Sequence, residues 1–221
     1  MSQLVRALRG ALRALDESPS DARRLLDAVG PRLHRAGPAA RIAAGLIAFD
    51  ARRYDEALGW VEEAATDPSP LGASALSQAA ALARQLGWNH RAIRLLRQRL
   101  ELDPTHRGTR LRLGSIFALN RNHEDAALVL GQGPVNSDGA RLRAEMLVAL
   151  NSADADAALT TWERGLRFLE PDSATHLASL RGRLDGPEAA LAVLARTEAT
   201  PEVLAQQALY LLRAGRYADA A

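Results

Sequence analysis

Residues 110–128 read RLRLGSIFALNRNHEDAAL, and residues 141–159 read RLRAEMLVALNSADADAAL. Both stretches begin with RLR, contain ALN and end with DAAL. These elements keep one constant offset, from position 110 to 141, from 118 to 149 and from 125 to 156. Agreement that keeps one offset over about twenty residues indicates a duplicated structural unit. The chain is therefore expected to be built from repeats of about this length.

A repeat of similar length continues along the whole chain. An alanine that opens an apolar helix face recurs at near-constant spacing from the first unit to the last. Such spacing is typical of stacked units that cannot bury their apolar faces alone. A small side chain also lets two helices approach closely where they cross. The alanines are Ala22, Ala57, Ala92, Ala126, Ala157, Ala189 and Ala220.

Each unit predicts two antiparallel helices. Alanine and leucine dominate the apolar residues and no alternating run favours a strand, so the expected fold class is all-α. A turn such as residues 50–54 separates the two helices. Pairs such as Asp103-Pro104 and Glu170-Pro171 close the second helix, because proline cannot continue a helix. The predicted units are 1–37, 38–72, 73–106, 107–138, 139–170 and 171–200, with 201–221 as the start of a seventh.

Several motifs resemble the tetratricopeptide repeat family. The LG pair at 113–114, followed by Phe117, is similar to the signature of that family's first helix. Residues 53–57 and 215–220 resemble its turn into the second helix, and Pro104 lies where its closing proline belongs. The resemblance covers nearly the whole chain and implies a right-handed α-solenoid of antiparallel helix pairs, forming a single domain. The later units are shorter than the family's usual length of about 34 residues, so tighter turns are expected there.

The composition excludes several kinds of chemistry. The chain has no cysteine, and all 28 side chains of the Lys and Arg class are arginine. Cysteine nucleophiles, thiolate metal sites, Schiff-base lysines and P-loop lysines are therefore excluded. The five histidines are not spaced to form a metal-binding helix face. No cofactor, no metal and no catalysis are expected of these residues.

The charge and hydropathy patterns limit the partners. The formal net charge is only +2, which gives no basis for a nucleic-acid partner. No stretch reaches the roughly 18 apolar residues that a membrane-spanning helix needs, so no membrane span is expected. Of these classes of partner, a protein or peptide is the one expected. The lack of cysteine fits a reducing, cytoplasmic compartment, and the use of arginine in place of lysine fits a GC-rich bacterial genome.

The resemblance implies a binding groove, because in this family the first helix of each pair lines a concave surface that receives peptides or partner helices. At the offset of the duplicated motif, Arg112 and Arg143 occupy equivalent places in neighbouring first helices. Two stacked guanidinium groups hold a carboxylate or phosphate bidentately, so a partner with acidic groups is expected there. Ser115 and Ser77 are placed near the same surface, and Arg84 opens a run of eight arginines that ends at Arg112. For the arginines of second helices, the alternative is a solvated exterior.

Ile42, Leu46 and Phe49 form an apolar i, i+4, i+7 stripe on the first helix of the second unit. One interpretation is that this stripe faces the groove and receives an apolar side chain of the partner. The other interpretation is that it packs against residues 1–35 within the repeat stack. The sequence leaves both open.

The leading functional hypothesis is a protein–protein interaction scaffold that binds a peptide or partner helix in its groove and makes or breaks no bond. The seventh unit stops early in its second helix. This favours a second hypothesis, an N-terminal substrate-recognition region of a larger bacterial enzyme of the glycosyltransferase, sulfotransferase or hydroxylase type, as the resemblance implies. A third hypothesis is a self-assembling scaffold that stacks through its open ends.

Overall fold

The computed structural model describes residues 3–166 and 168–220. Within these residues the chain forms thirteen α-helices and a final 3₁₀ helix, and no strand occurs among them. The helices are α1 (Gln3–Glu17), α2 (Pro19–Leu33), α3 (Pro38–Asp50), α4 (Tyr54–Ala65), α5 (Pro70–Gln85), α6 (Asn89–Leu102), α7 (Arg107–Leu119), α8 (His123–Gly131), α9 (Ser137–Ala149), α10 (Ala155–Gly165), α11 (Pro171–Leu184), α12 (Pro187–Leu194), α13 (Pro201–Arg213) and the 3₁₀ helix Tyr217–Ala220.

The contacts between helices divide the chain into two compact units, residues 1–104 and residues 105–221. In the first unit the pairs are α1–α2, α3–α4 and α5–α6, and the first helices α1, α3 and α5 touch in succession. In the second unit the pairs are α7–α8, α9–α10 and α11–α12, and α7, α9, α11 and α13 touch in succession. The predicted all-α architecture of stacked antiparallel helix pairs is confirmed. The single solenoid over the whole chain stays a prediction.

Proline opens α3, α5, α11, α12 and α13. The first helical position suits proline because its N–H would have no intrahelical partner. Pro171 and Pro201, which follow the predicted ends of second helices, are therefore also the starts of the next first helices. Because Pro70 fixes the start of α5, this helix begins before the predicted unit start at 73.

The first helices end in a shared motif that aligns the repeats. The second residue past α7 is Arg121 with φ 58°, and the residue at the same place after α9 is Asn151 with φ 51°. The N–H of each following residue donates to a carbonyl near the end of the helix, that of Phe117 or Leu147, both at 2.9 Å. This closure satisfies carbonyls that the helix leaves free. The same closure follows α3, α5 and α13.

Between the fourth and fifth repeats, the first helix and the second helix are displaced along the sequence by different numbers of residues. The closing residue moves from 121 to 151, and the start of the first helix moves by the same step, from 107 to 137. The start of the second helix moves by a larger step, from 123 to 155, because the α9–α10 connection is longer. The sequence motif moves from 110 to 141, a step larger than that of the first helix and smaller than that of the second. An alignment based on the motif therefore misplaces each helix by a single position.

The corrected alignment changes the shared alanines of the later second helices. The alanines predicted in α4, α6 and α8 are fully buried, whereas Ala157 is exposed. Ala158 in α10 and Ala190 in α12 take the buried position instead, at 5% and 0% exposure. The assignment of the shared position to Ala157 and Ala189 is therefore wrong by a single position.

A glycine of the first helix lies against the second helix in two of the pairs. A Cβ at Gly45 would lie 2.8 Å from the carbonyl oxygen of Ala57, and one at Gly114 would lie 2.7 Å from Leu130 Cγ. Glycine or alanine at these positions therefore sets how closely the paired helices approach. One turn beyond each shared alanine, the second helices bury a larger side chain. These side chains are Val61, Leu96, Leu130, Trp162 and Leu194.

The shorter length of the later repeats comes mainly from their second helices. Helices α4 and α6 have 12 and 14 residues, whereas α8 and α12 have 9 and 8. A tight turn at Gly186, with φ 95°, joins α11 to α12. The turn from α9 to α10 is longer than the turn from α7 to α8. The expectation of tighter turns is therefore wrong for the fifth repeat.

Candidate interaction surface on the first helices

The corrected alignment places several predicted site residues at equivalent positions of the first helices. Leu46 in α3 corresponds to Ser115 in α7, because both precede the left-handed closing residue by the same distance. In the same way Phe49 corresponds to Arg84 in α5. We call these positions the first-helix stripe and describe it separately in each unit. Its members are Ile42, Leu46 and Phe49 in α3, Ser77, Ala81 and Arg84 in α5, Leu111, Ser115 and Ala118 in α7, and Arg141, Glu145 and Val148 in α9.

The apolar part of the first-unit stripe is divided between the core and the surface. The Phe49 ring centroid lies 5.2 Å from that of Tyr54, and Phe49 packs against a core cluster that includes residues of α1 and α2. Ile42 is half-buried, whereas Leu46 is 38% exposed. Phe49 therefore fits the interpretation of packing within the stack, and Leu46 is available to a partner.

The polar part of the first-unit stripe lies on α5. Ser77 is half-buried and Arg84 is exposed. Within the described ranges, no carboxylate lies within ion-pair distance of Arg84. Its guanidinium group is therefore available to an anion from outside this unit.

Arg112 and Arg143 do not occupy equivalent positions, contrary to the prediction. Arg112 corresponds to Leu142 in α9, and Arg143 corresponds to the buried Leu113 in α7. The Arg112 side chain is exposed, whereas Arg143 is half-buried. The Arg143 guanidinium group lies against the end of α8, where a Cβ at Gly131 would come within 3.2 Å of Arg143 Nε. The predicted equivalence is wrong because the first helices start at 107 and 137, a smaller step than the one from 112 to 143.

Arg110 and Arg143 both pack against the connection between α8 and α9. Arg110 is 4% exposed, and its Nη1 donates to the carbonyl oxygen of Val129 at 3.0 Å. A Cβ at Gly133 would lie 2.7 Å from Arg110 Nη2. The positive charge of Arg110 also lies near the C-terminal end of α8, where the helix dipole favours a cation. The glycines at 131 and 133 therefore leave room for two guanidinium groups, a role that the sequence did not indicate.

A charged cluster that sequence reasoning missed joins α9 to α11. Arg141 Nη1 donates to Glu145 Oε1 at 2.7 Å, and His176 Nε2 lies 2.6 Å from the same oxygen. The His176 ring meets the Trp162 ring edge-on, with centroids 5.8 Å apart. The i, i+4 spacing of Arg141 and Glu145 is a recognisable helical ion-pair signal. No such signal exists for His176, because the packing of α11 on α9 determines its neighbour.

Glu145 is held in its ionised form by this cluster. Burial opposes ionisation and is the largest single influence on the pKa of Glu145. The close contact with His176 and the positive charge of Arg141 together outweigh burial, so the pKa of Glu145 lies below its ordinary value. Glu145 therefore links the two helices as an anion at neutral pH.

Solved structures share this arrangement of helices. No protein-family model and no curated protein matches the chain. The C-terminal part of a TPR repeat-containing protein from Cytophaga hutchinsonii superposes with a TM-score of 0.64 at 12% identity, over 96% of this chain and 88% of that chain. A tetratricopeptide repeat protein from Parabacteroides merdae gives 0.54 at 15% identity, over 98% and 89%. This chain has the tetratricopeptide repeat fold.

The same fold occurs in a multiprotein complex. A chain of the Naa15/Naa10 structure bound to HypK-THB matches with a TM-score of 0.55 at 16% identity, over 99% of this chain and 36% of that chain. The resemblance read from the sequence is therefore confirmed at the level of the tetratricopeptide fold.

Neither a metal site nor a membrane span is found in the described part of this tetratricopeptide-type chain. Among residues 3–166 and 168–220, no group of three His, Asp or Glu side chains is placed to hold a metal ion. None of the helices in these ranges is long and apolar enough to cross a membrane.

Glu145→Gln is expected to remove a stabilisation that exists only while the carboxyl group is ionised. Because the folded-state pKa is lowered, this stabilisation is complete above the unfolded-state pKa and is lost as the pH falls through the folded-state pKa. Urea unfolding should show the wild type more stable than the variant by about 1 kcal/mol at pH 7, and equal to it well below pH 4.

Glu198→Gln, which changes an exposed carboxylate in the loop before α13, is the matched control and should alter stability little at either pH. A difference between wild type and Glu145→Gln that stays constant with pH would contradict the role given to the Glu145 charge.

Proposed function

We propose that this chain is a protein-interaction scaffold whose first-helix stripe binds a peptide or a helix of a partner protein. One observation carries this proposal. Two stripe residues on the neighbouring, touching first helices α3 and α5 are exposed, Leu46 and Arg84. A repeated surface of this kind can bind an extended ligand along several helices at once, and the ligand's own side chains supply the specificity.

The charges on the first helices support a partner with acidic groups. Arg84 and Arg112 are both exposed, and in the described ranges neither has a carboxylate within ion-pair distance. A guanidinium group is suited to bind a carboxylate through paired hydrogen bonds. The Naa15/Naa10 structure bound to HypK-THB, in which this fold occurs within a protein assembly, is consistent with such a role.

Selection from a random dodecapeptide library displayed on phage, with the whole chain as bait, tests the proposal. Enriched peptides should bind wild type and should lose at least about tenfold in affinity on the double variant Leu46→Asp and Arg84→Glu. The control is Leu102→Asp with Leu128→Asp, which changes leucines 64% and 58% exposed on the second helices α6 and α8. Recovery of no binding peptide, or equal binding to both double variants, would contradict the proposal.

A further inference from the structure

We infer that the first unit selects a peptide in which an aliphatic side chain and a carboxylate lie two or three residues apart. The aliphatic side chain contacts Leu46 and Ile42, and the carboxylate contacts Arg84. The inference rests on the proposed function, because it assigns a ligand chemistry to the same stripe.

The apolar half of this site consists of one exposed and one half-buried aliphatic side chain. Leu46 is 38% exposed and lies one turn from the half-buried Ile42 on α3. The neighbouring helix α5 carries Ala81 at the position equivalent to Leu46, and Ser77 at the position equivalent to Ile42. Large apolar side chains on one helix thus lie beside small ones on the next. An aliphatic side chain placed over the small residues would shield Leu46 from water.

The polar half of the site is a single cation. Arg84 is the one formally charged residue among the six stripe residues of α3 and α5. It is exposed, and in the described ranges no carboxylate lies within ion-pair distance of it, including Asp50 at the end of α3. An exposed guanidinium group beside an uncharged surface favours a ligand that brings its own carboxylate.

The distance between the two halves sets the spacing in the peptide. Packed helices lie about 8–10 Å apart, and each residue advances about 1.5 Å along a helix. Arg84 lies one neighbouring helix and three positions away from Leu46 in the repeat alignment, so the two sites are about 10 Å apart. An extended peptide advances about 3.3 Å per residue. A separation of two or three residues therefore reaches from Leu46 to Arg84, with the long arginine side chain covering the remainder.

The second unit offers a different surface. Its stripe also carries a cation, Arg141, but Arg141 already donates to Glu145 Oε1 at 2.7 Å. A ligand carboxylate would have to displace Glu145 from Arg141 and from the neighbouring His176. Selection of an acidic group on the stripe is therefore placed in the first unit.

The phage-displayed dodecapeptide library is selected in parallel on the whole wild-type chain and on Arg84→Gln. Peptides enriched on wild type should carry Leu, Ile or Val two or three residues from Asp or Glu, and those enriched on Arg84→Gln should lose the acidic preference. The most enriched peptide, synthesised with a fluorescein label, should bind Arg84→Gln about fivefold more weakly in low salt, and less so in high salt. Its Asp→Asn or Glu→Gln version should bind both proteins equally.

Arg94→Gln is the matched control, because Arg94 is an exposed arginine on the second helix α6 of the same unit. Each variant is first compared with wild type by far-UV circular dichroism, and Leu46→Ser replaces Leu46→Asp where the aspartate variant does not fold. The selected peptides could lack the aliphatic–acidic pair and bind Arg84→Gln as well as wild type, yet still require Leu46. That result would overturn this inference and leave the proposed function intact. Peptides whose binding changes with neither the Leu46 nor the Arg84 substitution overturn the proposed function and this inference together.

Discussion

Replacement of Trp162 by alanine is expected to lower the free energy of unfolding by about 3–5 kcal/mol. Trp162 is 2% exposed and lies in α10 at the position that Leu130 holds in α8 and Leu194 in α12. Alanine would leave a cavity between the helices of the second unit, and a cavity adds to the lost transfer free energy of the side chain. It would also remove the ring that packs against His176 at 5.8 Å.

Urea unfolding followed by far-UV circular dichroism measures this loss. Trp162→Leu should cost less than Trp162→Ala, because leucine fills the equivalent position in neighbouring repeats. Trp88→Ala, which truncates a half-buried tryptophan just before α6, is the control and should also cost less. A loss below about 1 kcal/mol for Trp162→Ala would contradict the packing described here.

Gly72→Ala is expected to destabilise the first unit by about 3 kcal/mol. Gly72 lies in the first turn of α5, and a Cβ there would be 1.9 Å from the carbonyl oxygen of Asp67. Because the clashing atom belongs to the backbone, no side-chain rotation can relieve the overlap. The segment that leads into α5 would have to move, although Asp67 Oδ1 holds it by accepting a hydrogen bond from Ser69 N–H at 2.9 Å.

Gly59→Ala is the matched control in the same unit. Gly59 is exposed within α4, and a Cβ there meets no atom within 4 Å. Alanine loses less conformational freedom than glycine when a helix forms, so this variant should gain about 0.5–1 kcal/mol. Opposite signs for the two glycine substitutions, measured by urea unfolding, are the expected result. Equal effects of the two substitutions on the free energy of unfolding would mean that the loop before α5 can move without destabilising the unit.

The helix pairs could be predicted from the sequence because their signals are local. A shared alanine, a turn, and a proline at the next helix start recur within roughly the length of one helix pair. Proline at the first helical position and a left-handed residue after the last one act within a single turn of chain. Such signals can be recognised in the sequence without knowing what the helices pack against.

The candidate site was predicted less completely, because its side chains are defined by neighbouring helices. Leu46 and Arg84 follow from the periodicity of one helix and a correct alignment. Arg143 was placed beside Arg112 because a single offset was carried through both helices of a repeat. His176 could not be placed beside Glu145, because their sequence separation says nothing about how α11 packs on α9.

The sequence by itself determined an all-α chain of repeated helix pairs and excluded lysine and cysteine chemistry, because composition and local periodicity carry that information. Only the tertiary structure decided the alignment of the fifth repeat. Its first helix is displaced by a smaller step than the sequence motif and its second helix by a larger one, since the connection between them is longer. Comparison of the two repeat sequences gives a single offset, which is then applied to both helices of the repeat. Packing fixes each helix face separately, and so decides which arginines pack into the fold and which are exposed.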